Sequence, residues 1–492
     1  MKMSSYKDND GNDFRPITKD YLKEQKNEPQ GQYYDFDIAE FHSFFESLDQ
    51  KDIQARIGLL EQVFNYLNNF IIKAYKIQKF DSILLIYDEL DNFGLMDFLF
   101  NCLSIANRPI IIELTLKIIA LLYCVESNDE IILLSRMNHE IFQMIIDIAK
   151  TPNIISEAQI PPLKTVSIRK FALNCILNIT LTYSEYINDI EQQFDEFFQI
   201  ILNDERPECA EDLISTCASI LSVSHDACNI EKQFNFFKAN IIIEDKPIHS
   251  SFYGCIQCIE YANQIQKTLF SNEFITDSFI IKALNNIHPA QSKIYIDCMH
   301  LLKYILEFCD INLQAEIVYN IPWDNIINQE LLSYPECSSE ILAQLNSICK
   351  IVSNHISTLM ANNCFSNIFT LFFNGQYEIK KGSFFVICTI FDYCTVEQKI
   401  EIFTKTQFLE ILADLVDEDD HQLFGEILVF IIDQMQEIDD QEAAAAFNEN
   451  FINDEFMEKA SVLLDDEVEE IRIIAEHFFS LCTGEEEDRP MF

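Results

Sequence analysis

Apolar residues recur at helical spacing along most of this chain, beginning near Ile38. One kind of segment keeps returning, with about 12–15 residues that are almost wholly apolar and that end in small or polar residues. A helix of that composition is buried on nearly all sides, so we predict a series of long, buried helices. Their sequences are IELTLKIIALLYC, IRKFALNCILNIT, DLISTCASILSVS, FYGCIQCIEYA, YIDCMHLLKYILEF, ILAQLNSICKIVS, SFFVICTIFDYC, GEILVFIIDQMQ and IRIIAEHFFSLC.

A second, amphipathic segment precedes the apolar one by about 20 residues, as in GLMDFLFNCL, TQFLEILADLV and EFMEKASVLLDD. Such a helix buries one face and exposes the other. One pair of helices cannot bury its own apolar face, but stacked neighbours bury it in a continuous core. The pattern therefore predicts an array of helical repeats.

The spacing of the apolar segments predicts the kind of repeat. Steps between matching points run from about 38 to about 45 residues, close to the armadillo and HEAT period of roughly 40–47. The first step, from Ala120 to Asn178, is longer and predicts an insertion, TPNIISEAQIPPLKT. The later matching points lie near Leu221, Ile259, Tyr304, Cys349, Thr389 and Asp433.

We therefore predict an all-α fold, a right-handed armadillo-repeat (ARM/HEAT-like) superhelical solenoid of about nine to ten repeats over residues 36–482. Residues 1–35 form a polar segment before it, and residues 483–492 an acidic tail after it. The 9 Gly and 12 Pro in 492 residues are too few for the turns of a β-sandwich or an α/β enzyme. No Pro-, Gly- or Ser-rich linker divides the chain, which favours an array over separate domains.

The charge is strongly negative, with 34 Lys and Arg against 80 Asp and Glu and a formal net charge of −46. Such a field repels nucleic acid and anionic membranes and attracts basic partners. A solvated acidic surface that maintains solubility explains the same composition. Both interpretations stay open at this point.

The 16 cysteines include a single C-x-x-C, Cys255 and Cys258, within a segment that is typical of a helix. The others are scattered among apolar residues, as expected of buried thiols in a reducing compartment, so we expect neither a metal nor another cofactor. The first residues lack the apolar core of a signal peptide. Glu113 and Lys117 interrupt the most apolar stretch, which is too short to span a bilayer, so we expect a soluble intracellular protein.

Several stretches, taken in order, resemble one family. Gly94-Leu95-Met96, with Pro109 and Glu113, resembles the first repeat of importin-α, the adaptor that carries nuclear cargo. SIRKFALNCILNIT resembles the second repeat and keeps its asparagine as Asn178. The sequence around Thr395-Val396-Glu397-Gln398 is similar to a late repeat, and EVEEIRIIAEHFFSLCTGEEED to the last one. The likeness covers roughly residues 80–488, although about 185–350 match only in period.

The resemblance implies a binding mechanism. In the family, the third helix of each repeat lines a concave groove and carries a Trp-x-x-x-Asn pair. The Trp stacks on a Lys or Arg side chain of the cargo, and the Asn hydrogen-bonds the cargo main chain. Acidic residues of the groove bind the ammonium and guanidinium groups of those cargo side chains. Thr182 stands where the second repeat has an aspartate, and Trp323 lies outside these helices. The cargo-groove positions that carry over are Leu116, Ala120, Asn174, Asn178, Phe385 and Thr389.

The two ends of the chain correspond to the partner-binding ends of the family. Residues 1–35 resemble the importin-β-binding arm, although the arginine run is absent and a plain flexible terminus explains the same residues. The candidates for that arm are Lys7, Arg15, Lys19, Lys23 and Lys26. The candidates for the surface that meets an export receptor are Glu485, Glu486, Glu487 and Asp488, for which a solvated acidic tail is the alternative.

Two functions follow as hypotheses. The first is an importin-α-like adaptor in cytoplasm and nucleus that binds extended, basic cargo segments, importin-β and an export receptor, and neither nucleic acid nor membrane. The second is an armadillo scaffold for protein interactions that has left the transport cycle. Catalysis is not expected, because no P-loop, H-E-x-x-H, G-x-S-x-G or dinucleotide fingerprint occurs.

Overall fold

The computed structural model describes residues 52–77, 94–103, 108–124, 136–150, 162–203, 208–243, 246–276, 292–357, 364–416 and 420–483, with single positions at 90, 92 and 284. The candidates for the importin-β arm (Lys7, Arg15, Lys19, Lys23 and Lys26) and for the export-receptor surface (Glu485 to Asp488) lie outside these residues. So does most of the predicted insertion, residues 151–161.

The chain divides into two compact units, and its described residues are almost entirely α-helical. The first unit comprises Met1–Asn240 and Tyr253–Ala262, and the second comprises Ile241–Phe252 and Asn263–Phe492. The helix α10 (His249–Tyr261) belongs in part to each. The other helices of the first unit are α1 (Ile53–Ile77), α2 (Leu95–Cys102), α3 (Pro109–Leu122), α4 (His139–Lys150), α5 (Pro162–Thr182), α6 (Ile187–Glu191), α7 (Phe194–Leu202), α8 (Glu208–Ser224) and α9 (Ile230–Ala239).

The long helices of the first unit follow one another side by side. Helix α3 packs against both α1 and α5, and α5 packs against both α3 and α8. The shorter helices α2, α4 and α7 pack against α3, α5 and α8, respectively. Helix α3 starts with Pro109, which suits a first turn whose N–H groups lack helical partners, and most of its side chains are buried. The apolar segments predicted as buried helices are therefore confirmed as helices here.

The second unit repeats this alternation of long and short helices. Helix α15 packs against α12 and α17, α20 packs against α23, and the shorter α11 and α16 pack against α12 and α17. Its helices are α11 (Gln264–Thr276), α12 (Ser292–Phe308), α13 (Ile311–Asn320), α14 (Trp323–Ile326), α15 (Pro335–Ile351), α16 (Cys364–Asn374), α17 (Tyr377–Phe391), α18 (Val396–Lys405), α19 (Phe408–Asp414), α20 (His421–Glu437), α21 (Gln441–Phe451), α22 (Asp454–Val462) and α23 (Glu469–Thr483).

An aromatic cluster fills the core where α17, α18, α19 and α20 meet. The rings of Phe391 and Phe408 stack with centroids 5.7 Å apart, and Phe430 meets both edge-on. Phe403 joins the cluster from α18. Aromatic rings in such offset and edge-on contacts add to the stabilisation that burial gives. This cluster fixes α17 and α20 relative to each other.

Two local features of the second unit complete the fold. Trp323 is buried at the start of α14, where its indole N–H donates to the Val318 carbonyl at 2.8 Å. It therefore lies outside the long helices, as the sequence indicates. A two-residue antiparallel ladder, β1 (Ile242–Ile243) with β2 (Lys246–Pro247), is a small departure from the expected purely helical chain.

Candidate functional site

The four groove positions carried onto the first unit lie inside its packing. Leu116 and Ala120 on α3 are 0% exposed, and Asn174 and Asn178 on α5 are each 4% exposed. The Asn178 Nδ2 donates to the Ala120 carbonyl at 2.7 Å, so its amide bonds a neighbouring helix. A side chain that stacks on a ligand has to reach the surface. These four side chains are therefore buried and do not form an open peptide-binding face, and the amide of Asn178 stabilises the contact between α3 and α5.

Two more side chains on α5 make the same kind of contact. The Cys175 thiol donates to the Leu116 carbonyl at 3.1 Å. The Thr182 hydroxyl lies 2.9 Å from the Asn178 carbonyl of its own helix and 3.3 Å from the Tyr123 carbonyl, so it shares its one proton between them. Tyr123 directly follows α3, whose last carbonyls have no partner within their own helix. Thr182, which occupies the position of the family's aspartate, thus contributes to capping α3.

The groove positions carried onto the second unit are more open. Phe385 and Thr389 on α17 are both half-buried, and Lys381 is half-buried one turn earlier. Residues four apart in a helix share a face. Lys381, Phe385 and Thr389 therefore form one stripe along α17, which we call the late stripe.

The late stripe is supported from behind by α15. The Thr389 hydroxyl donates to the Asn346 Oδ1 at 2.7 Å, across the two helices. Gly382 lets α15 approach, since a Cβ at this position would lie 3.0 Å from the Leu342 Cβ. Asn346 is a polar neighbour that the sequence did not single out. It lies 43 residues before Thr389, and the repeat period is the signal by which it could have been found.

The amino-terminal end of the late stripe meets a carboxylate. Asp420 caps α20, its Oδ1 accepting from the Leu423 N–H at 3.1 Å. Its Oδ2 accepts from the Lys381 ammonium and, at 3.2 Å, from the Tyr377 hydroxyl. Partial burial raises the pKa of Asp420, but the hydrogen bonds and the charge of Lys381 outweigh it and hold that pKa below its usual range.

Charged groups act on the carboxyl-terminal end of the late stripe. The pKa of the Cys388 thiol, between Phe385 and Thr389, is raised by burial and further by Glu426 and Asp392, with Lys350 acting in the opposite direction. Partial burial, then the charges of Asp392 and Glu437, raise the pKa of Asp433 on α20, although His477 lowers it. Carboxylates that repel one another are stabilised by a cation. The carboxylates thus favour a cation at this end, in competition with Lys350 and with Lys399, whose ammonium pairs with Glu437 at 2.6 Å.

Other kinds of site are not found among the described residues. No group of three or more His, Cys, Asp or Glu side chains in this part of the chain is arranged to hold a metal ion. Cys255 and Cys258 are both buried on α10 as free thiols, and burial raises their pKa values well above the usual range. Within the same residues, none of the helices has the length and the apolar run needed to cross a membrane.

Comparison with known proteins bears on the fold alone. No family model matches the sequence, and no curated protein matches it either. The crystal structure of an engineered protein from the Northeast Structural Genomics Consortium resembles this chain with a TM-score of 0.54. The two sequences are 12% identical, and the match covers 90% of this chain and 98% of the engineered one. At that identity the likeness extends to the fold and says nothing about ligands.

Proposed function

We propose that this protein is a helical-repeat adaptor of the importin-α type that binds extended, basic segments of cargo proteins through the late stripe of its second unit. Its fold would be a right-handed armadillo-type solenoid, because α3, α5 and α15 each pack between a preceding and a following long helix, as the units of such an array do. Adaptors of this type move between cytoplasm and nucleus, and we propose the same two locations here.

The observation that carries the proposal is the half-buried Phe385 ring, which lies one helical turn before Cys388, a thiol on which the charges of Glu426 and Asp392 act. A ring face attracts the cationic head of Lys or Arg, and the aliphatic stem packs beside it. Toward the carboxyl-terminal end of the stripe, the charge of Asp392 acts on both Cys388 and Asp433, and a positive ligand would relieve this repulsion. Thr389 and Asn346 add polar groups that suit the main chain of an extended peptide.

Charge sets the class of partner. The formal net charge of −46 disfavours nucleic acid and anionic membranes as ligands and favours a basic protein segment. Such attraction is screened by salt, so affinity for a basic segment should fall as ionic strength rises. We propose no cofactor, since the contacts that bind such a segment are side chains of the protein itself.

A second candidate is an armadillo scaffold that no longer takes part in transport. The burial of Leu116, Ala120, Asn174 and Asn178 favours it, because those positions correspond to the front part of the family's cargo groove. A scaffold of this kind still binds protein partners through the second unit, but it has no need of importin-β or of an export receptor.

The experiment offers immobilised full-length protein a panel of basic localisation peptides, importin-β and the export receptor at physiological salt. The adaptor binds all three, and deletion of residues 1–35 abolishes its binding of importin-β. Binding of the basic peptides alone supports the scaffold. If none of the three binds, the transport proposal is wrong.

A substitution then locates the peptide site. Phe385→Ala removes the ring face and should weaken peptide binding by about fivefold or more, the order expected for an aromatic contact with a cation. Tyr319→Ala is the matched control, because Tyr319 is a well-exposed aromatic residue on α13 of the same unit. Equal losses of peptide affinity in the two variants would show that Phe385 is not part of the binding site.

A further inference from the structure

The ion pair between Lys381 and Asp420 occupies one end of the late stripe. Lys381 lies on the same face of α17 as Phe385, one turn before it, and its ammonium contacts the Asp420 Oδ2. The protein thus places a basic side chain of its own on a carboxylate that a basic ligand would otherwise use. This carboxylate differs from Asp392 and Asp433, which repel each other at the opposite end.

Asp420 has one oxygen to offer a ligand. Its Oδ1 is engaged by the Leu423 N–H as the cap of α20, whereas Oδ2 receives both Lys381 and the Tyr377 hydroxyl. The side chains of Lys381 and Asp420 are 32% and 27% exposed, so solvent and a ligand reach the pair from outside. A half-buried pair that solvent reaches is held less tightly than a buried one, so a ligand can compete for its partners.

We propose that Lys381 is an internal competitor for the basic side chains of the ligand and thereby sets where on the late stripe they bind. A ligand ammonium or guanidinium that approaches Asp420 meets the positive charge of Lys381 and has to displace it. The cationic side chains of a bound segment are therefore directed away from Asp420 and toward the carboxyl-terminal part of the stripe. This inference rests on the function proposed above and deepens it by naming a residue that determines specificity.

The test measures affinity of the full chain for a fluorescent peptide rich in lysine and arginine, with its alanine-substituted counterpart as the reference ligand. Lys381→Met frees the Asp420 Oδ2 and should tighten binding by about threefold to tenfold, the range of one added charge-assisted contact near the surface. Lys381→Arg retains the competing charge and should bind like the wild type. The alanine-substituted peptide should gain nothing from either change.

Removing a lysine also makes the whole protein more acidic, so a charge-matched control is needed. Lys405→Met removes the same charge from α18, where Lys405 pairs with Glu401 at 2.8 Å as two exposed residues one turn apart. That variant should leave affinity unchanged. A gain equal to that of Lys381→Met would assign the effect to net charge and overturn the inference.

Asp420→Asn tests whether the freed carboxylate is responsible. Asn retains the capping role, so α20 keeps its first turn. Combined with Lys381→Met, it should return the affinity to the wild-type value. A gain that persists in the double variant, or a Lys381→Met variant that binds no tighter than wild type while wild type does bind, overturns the inference and leaves the proposed function intact. If neither protein binds the basic peptide, the proposed function fails and the inference with it.

Discussion

The side-chain amide of Asn178 donates a hydrogen bond of 2.7 Å to the main-chain carbonyl oxygen of Ala120. The two residues occupy neighbouring positions of the ladder that the importin-α resemblance implies, yet here they bond each other. Both are buried, so the bond holds α5 to the last turn of α3 away from solvent. A residue type that binds cargo main chain in the family thus binds the protein's own main chain in this unit.

Asn178→Ala should lower the free energy of unfolding by about 1–3 kcal/mol, because a buried amide contact is lost and a cavity remains. Denaturant unfolding of the full chain measures this loss. Binding of a basic peptide should stay unchanged, since the late stripe belongs to the other unit. Asn188→Ala, at an exposed position, is the control and should cost no more than about 0.5 kcal/mol. Weaker peptide binding with unaltered stability would contradict the structural role.

The helices can be predicted from local sequence because the signals that start a helix and bury one of its faces lie within a few residues of each other. Thr395 and Gln398 show this clearly. They form a reciprocal capping box at the start of α18, in which the Thr395 side chain accepts from the Gln398 N–H and the Gln398 side chain accepts from the Thr395 N–H. The T-V-E-Q sequence, noted as a family likeness, thus has a local physical role that needs no ligand.

The candidate site depends on contacts that local sequence does not contain. Whether Leu116 is buried depends on α5, whose contacting residues lie almost 60 positions later. The partner of Thr389 is Asn346, a whole repeat earlier. The periodic pattern predicts which segments become neighbours, but not which face of each helix stays open. For that reason the helices follow from the sequence, whereas the burial of the front groove positions is visible only in the structure.

The guanidinium of Arg169 is a second structural element of the first unit. It is 2% exposed, and its Nε and Nη2 donate to the carbonyls of Ala149 and Lys150 at 2.7 and 2.9 Å, at the carboxyl-terminal end of α4. A positive charge there also complements the helix dipole. Arg169→Met keeps most of the volume but loses both bonds, so unfolding free energy should fall by about 2–4 kcal/mol in denaturant titrations.

Arg136→Met provides the comparison for that variant. Arg136 is exposed and makes a 3.4 Å contact with the exposed Asp97. Exposed pairs contribute little, so its loss should change stability by less than about 0.5 kcal/mol. Equal effects of the two substitutions would show that the caps on α4 are unimportant.

The buried position of Glu191 predicts that the stability of the first unit depends on pH. It is 5% exposed, and its Oε1 accepts from the Asn229 N–H at 2.9 Å and the Gln233 amide at 3.0 Å. Burial raises its pKa, and the two hydrogen bonds and the charge of Lys232 offset this only in part. A carboxyl whose pKa is higher in the folded state binds its proton more tightly when folded. Its ionised form therefore destabilises the fold near neutral pH, and this penalty fades as pH falls through the folded pKa.

Glu191→Gln should accordingly stabilise the first unit near neutral pH. The difference from the wild type should shrink as pH falls toward the pKa of an ordinary carboxyl group. The glutamine carbonyl accepts the same two hydrogen bonds. Its amide replaces Oε2, which has no hydrogen-bond partner among the described residues. Unfolding free energies across a pH series measure the effect, with the exposed Glu185→Gln as control. A variant less stable than wild type at neutral pH would show that the negative charge itself is needed.

Two helical glycines should respond to alanine in opposite directions. A Cβ on Gly254 of α10 would lie 2.5 Å from the Phe237 ring, which is fully buried on α9, so Gly254→Ala should destabilise the first unit by about 1–3 kcal/mol despite the better helix propensity. Gly58 of α1 has nothing within 4 Å of its Cβ position, so Gly58→Ala should stabilise by about 0.5–1 kcal/mol. Thermal unfolding of both variants shows whether each substitution raises or lowers the stability. Stabilisation by Gly254→Ala would mean that Phe237 moves aside at little cost. The close packing of α9 on α10 would then not require a glycine at position 254.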